Sequence, residues 1–109
     1  MRAAIALNNS CPCELHSLAG LLERQKITDA EFKAAQVYLE MPHTVRAEID
    51  SQMNEVNRAI VSNLVLKQLT PAAAVYSATA CHPGGILRRI REALDQLGLA
   101  LQIDSRSML

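Results

Sequence analysis

The stretch LTPAAAVYSATACHPGGILRRIREALDQLG, residues 69–98, decides how the chain is read. Thr70 followed by Pro71 is a helix start. The threonine hydroxyl can accept from a free amide of the first turn, and proline at the first helical position has no N–H to leave unsatisfied. The short helix that follows, over 72–79, is apolar at Ala74, Val75 and Ala78. A tight connection, Ala80-Cys81-His82-Pro83, leads through Gly84-Gly85 into a second helix. Ile86, Ile90, Ala93 and Leu97 recur at three- and four-residue steps and give that helix one buried face. Gly98 supplies a left-handed stop. Beyond it, Leu99-Ala100-Leu101-Gln102-Ile103-Asp104 alternates in the manner of an edge strand.

Toward the N-terminus the pattern stays helical. Residues 3–7 read as a short strand, and Asn8 to Pro12 carry loop chemistry. Leu15, Leu18, Ala19 and Leu22 then form one apolar helix face that runs to about Gln25. Thr28-Asp29-Ala30-Glu31 is a capping box, in which Thr28 accepts from the amide three residues on and Glu31 reaches back. The helix it opens places Phe32, Ala35 and Leu39 on one side and stops before Pro42. Thr44 is the expected N-cap of a third and longest helix. Its stripe of Val45, Ile49, Met53, Val56, Ile60 and Leu64 covers about 30 Å at 1.5 Å per residue. A stripe of that length suits packing along a second long helix, so a homodimer or a protein partner is expected there.

Composition agrees with a mainly α fold. The chain has 109 residues, enough for one ordinary domain, and half are hydrophobic. With no Trp, one Phe and two Tyr, the core must be aliphatic, whereas strand-rich domains draw more on aromatic side chains. The expected fold is about five helices, with room for a small C-terminal two-stranded β-sheet. Residues 1–68 are expected to form a helical dimerisation or effector region, and residues 69–109 a helix-turn-helix-like unit.

The formal net charge is zero, which excludes an acidic disordered tail or a histone-like polycation. The charge is nevertheless unevenly spread. Residues 10–55 hold eight acids against four bases, while no Asp or Glu occurs from Val56 to Arg91. That acid-free stretch carries Arg58, Lys67, Arg88, Arg89 and Arg91, the pattern of a surface that faces phosphates. The competing reading is an ordinary solvated arginine face paired with the acidic first half.

In its order of short helix, tight turn, second helix, glycine and apolar strand, 70–104 resembles a small winged-helix, helix-turn-helix DNA-binding domain. The resemblance rests on the run from Ala74 to Pro83 followed by Ile86, Ile90-Arg91 and Gly98-Leu99, about a third of the chain. It implies double-stranded DNA as partner, with Lys67, His82, Gly85, Arg88, Arg89 and Arg91 as the contacting residues. It also implies a wing formed by Leu99 to Ile103. The two glycines depart from the pattern, since base-reading side chains usually stand where they do. The resemblance therefore implies backbone contact more than sequence reading, with bare helix amides approaching a phosphate.

No motif of catalysis stands out. There is no nucleophile elbow, phosphate loop, zinc-protease helix or dinucleotide fingerprint, so no enzyme activity and no cofactor are expected. Cys11, Cys13 and His16 are the one tight cluster of metal-ligand types, and Cys81-His82 could complete a tetrahedron. The C-x-C spacing is not that of a zinc knuckle, and the preferred reading makes Cys13 and Cys81 small core residues with His16 on a helix surface. Three cysteines, a start without a signal-peptide pattern and no long apolar segment lead to the expectation of a cytoplasmic protein without a membrane span. The reading as a whole is a small DNA-binding transcriptional regulator. Its alternative is a helical interaction module (an inhibitor, anti-activator or chaperone) that docks through the stripe of its third helix.

Overall fold

The computed structural model describes residues 17–79 and 85–107, with side chains described as far as residue 102. The described residues form six α-helices: α1 Leu18–Glu23, α2 Asp29–Glu40, α3 His43–Ser51, α4 Glu55–Val61, α5 Pro71–Thr79 and α6 Ile86–Ser107. A π-helical turn, Ser62–Leu66, continues α4. The predicted strand over residues 3–7, Cys11, Cys13, His16, Cys81 and His82 lie outside the described residues.

Local chemistry sets most helix ends. Ser17 caps α1, its hydroxyl accepting from the Gly20 amide at 2.9 Å. Gln25 turns into the left-handed region (φ 59°), and the Lys26 amide closes on the Leu21 carbonyl at 2.8 Å. The capping box of α2 is complete: the Glu31 amide donates to Thr28 Oγ1 at 3.1 Å, and the Thr28 amide donates to Glu31 Oε1 at 2.8 Å. At the other end of α2, Arg46 Nη1 reaches back to the carbonyls of Leu39 (3.1 Å) and Met41 (2.8 Å). Pro71 opens α5 as expected, with Thr70 Oγ1 accepting from the Ala73 amide.

Three expectations are overturned. The long third helix is two helices, α3 and α4, broken at Gln52 to Asn54. Asn54 caps the second piece, accepting from the Asn57 amide at 2.8 Å, and Gln96 of α6 plugs the break by accepting from the Asn54 amide and from Asn57 Nδ2. The first piece starts two residues early, with Pro42 rather than Thr44 as its N-cap and no side-chain cap bond. The predicted C-terminal strand over Leu99 to Asp104 is helical, because α6 runs straight through Gly98 to Ser107. At 1.5 Å per residue its 22 residues span about 33 Å. No strand occurs among the described residues.

One core unites these helices. α6 lies along α2 and α4 and also packs on α5, so the sequence boundary at residue 69 does not separate two cores. Ile90, Ala93, Leu94, Leu97 and Ala100 of α6 are buried against Leu21, Ala34, Ala35, Tyr38, Ile49, Ile60, Val61, Ala74 and Val75. The buried side of α2 is rotated from expectation. It holds Ala34, Ala35 and Tyr38, while Phe32 is half-buried and Leu39 exposed.

Candidate nucleic-acid interface

The described parts of the acid-free stretch pack together: α4 lies against the π-helical turn, α5 and α6, and α5 against the turn and α6. The π-helical turn widens α4 by one backbone step, the Lys67 amide bonding the Ser62 carbonyl five residues back at 3.0 Å. This turns Asn63 inward. It is buried, and its Nδ2 donates to the Ala74 carbonyl at 3.1 Å, tying α5 to the end of α4. Gln68, at φ 56°, then reverses the chain toward Pro71.

Gly85 immediately precedes α6. Its φ of +115° favours glycine, and its carbonyl accepts the amide of Arg89 at 3.0 Å. Its first six residues, Ile86 to Arg91, hold three arginines and no acid. Ile90 points wholly into the core and so fixes the rotation of the helix. Arg88 is exposed and Arg89 half-buried. Arg88 and Arg91 share an open surface with Leu87, Glu92 and Asp95. Lys67 is exposed at the end of the π-helical turn.

Arg91 is already engaged. Its Nε donates to Glu31 Oε2 at 3.3 Å, across 60 residues of sequence, with the arginine side chain 47% and the glutamate 5% exposed. Burial pushes the Glu31 carboxyl up, but hydrogen bonds from Asp95 and the Thr28 amide, together with the Arg91 charge, leave it below the ordinary glutamate value. Asp95 moves the other way. Its hydrogen bond with Glu31, its partial burial and the Glu31 charge all raise it. Sequence reading saw Glu31 only as a cap and missed Asp95 altogether.

No protein-family model, curated protein or solved structure matches this chain.

The stripe expected to meet a partner is largely spent inside the molecule. Ile49, Met53, Ile60 and Leu64 are buried in the chain's own core, and Val45 and Val56 are half-buried. α2, α5 and α6 cover these buried side chains. An apolar groove of about 400 Å³ lies open between α1, α2 and the π-helical turn, lined in part by Leu18, Phe32, Leu39, Val65 and Leu69. Among the described residues, no group of three or more His, Cys, Asp or Glu is placed to hold a metal ion, and no helix is long and apolar enough to cross a membrane.

Proposed function

We propose that the chain is a small cytoplasmic DNA-binding regulator that presents the N-terminal turns of α6 to the backbone of duplex DNA. Support comes above all from Arg88: it stands exposed in the first turn of a helix whose opposite side is locked in the core, on a stretch that lacks any acid. A guanidinium held on a rigid helix suits bidentate contact with a phosphate or a guanine edge. The partial positive charge of a helix N-terminus adds to the same attraction. Arg89 and Lys67 supply further charge on the same part of the chain, and Gly85 lets the backbone come close.

Arg88→Ala tests this with a fluorescent duplex titrated between 50 and 200 mM salt, on the order of the range over which phosphate contacts are read. The variant should bind more weakly, and the slope of log affinity against log salt should flatten by about one. Parent-like affinity and slope in the variant would refute the assignment, as would a parent that ignores duplex DNA at 50 mM salt. A second reading, a module that binds a protein, now finds its support in the groove between α1 and α2 rather than in the buried stripe. Leu39→Glu, at a residue 46% exposed in that groove, would abolish partner capture without touching DNA affinity.

A further inference from the structure

Glu31 is buried more deeply than capping alone requires. Its two oxygens have separate tasks, Oε1 accepting from the Thr28 amide at 2.8 Å and Oε2 from Arg91 Nε at 3.3 Å. Asp95, one helical turn beyond Arg91 on α6, interacts with the same carboxyl. Two acids therefore converge on one guanidinium, next to the exposed Arg88.

We propose that Glu31 is an internal anion that competes with a nucleic-acid phosphate for Arg91, so that the chain holds its DNA affinity below what its arginines would otherwise provide. This rests on the DNA-binding reading above and adds a restraint within the same site. A phosphate and a carboxylate use the same guanidinium edges. The Nε of Arg91 is taken by Glu31, while half of its side chain remains open to a second anion. Moving Arg91 fully onto a phosphate would leave the Glu31 charge buried without its cation, which is strongly unfavourable. The exchange is therefore resisted, and Arg91 contributes less to binding than Arg88.

Glu31→Gln is the decisive variant, because glutamine also serves at the third position of a capping box and so spares the start of α2. In the same anisotropy titration on the full chain, Glu31→Gln should bind duplex DNA about fivefold more tightly, the scale of one partly exposed ion pair released. Its salt slope should steepen by about one. Arg91→Ala should cost the parent less than about twofold but abolish the whole gain in the Glu31→Gln background. Glu48→Gln, which removes the same charge from an exposed position on α3, should change affinity by less than about twofold. Unchanged or weaker binding by Glu31→Gln would overturn the proposal, as would a gain that survives Arg91→Ala. Should Glu31→Gln fail to fold, the parent background decides: a loss on Arg91→Ala as large as that on Arg88→Ala overturns it. Failure of Arg88→Ala to weaken the parent instead removes the DNA-binding reading, and a parent that binds no duplex removes both.

Discussion

Ile60→Ala measures whether the stripe from Val45 to Leu64 belongs to the core or to a partner. Ile60 is 0% exposed in the isolated chain. The substitution removes three carbons, worth about 2.4 kcal/mol at about 0.8 kcal/mol per buried methylene. The cavity left in a core closed by α5 and α6 adds a further term, so a cost of about 3 kcal/mol is expected. Against a total stability of about 5–15 kcal/mol this is a large fraction. With a urea slope of about 1.2 kcal/mol per molar, the midpoint should fall by about 2.5 M, with the slope itself unchanged. Far-UV circular dichroism is the suitable probe, since the chain has no tryptophan. Ile60→Val should fall between parent and Ile60→Ala, at about 1 kcal/mol. A midpoint for Ile60→Ala within about 0.3 M of the parent, together with a change in sedimentation behaviour, would refute the burial argument and return the stripe to an interface.

Two further substitutions test other parts of the molecule. Asp95→Asn removes a carboxyl whose proton is held more tightly in the folded chain than in the unfolded one. A raised folded value means stability present below the ordinary aspartate range and lost as pH rises through the folded value, so the variant should melt about 2 °C higher than the parent at pH 7. The advantage should vanish toward pH 3.5, on the order of the ordinary aspartate value, and equal benefit at both pH values would show that the Glu31 charge is not its cause. Gly98→Ala should stabilise the chain by about 0.5–1 kcal/mol, because Gly98 lies within α6 and an added Cβ meets nothing within 4 Å. Thermal melting checks it, and a destabilised variant would mean that something else approaches the helix there.

Local signals in the sequence carried well into the structure. The Thr28–Glu31 capping box, the Thr70-Pro71 start and the face of Ile90, Ala93 and Leu97 are all decided by residues within a turn or two of each other. The break between α3 and α4 was hidden because Ile49, Met53 and Ile60 stay in phase across it and all enter the same core. Asn54 followed by Glu55 was the one sign of a new start, and it is weak without the Gln96 side chain that completes it. Gly98 misled for a different reason. Leu97, Ala100 and Leu101 fit a helical period as well as Leu99, Leu101 and Ile103 fit a strand period, and burial of Ala100 beside a 60% exposed Leu99 settles it. The Glu31–Arg91 pair had no sequence signature, since its partners lie 60 residues apart and meet only when α2 and α6 pack.

The central position of α6 has a consequence for biosynthesis. It is the last of the described helices to leave the ribosome, yet it supplies five of the buried apolar side chains, from Ile90 to Ala100. Until it emerges, α2 and α4 lack the helix that both pack along, and the Glu31 carboxylate must stay hydrated beside its nascent cap. The described interior therefore cannot dry until α6 has been made, and closure of this core waits on the most distal of these helices.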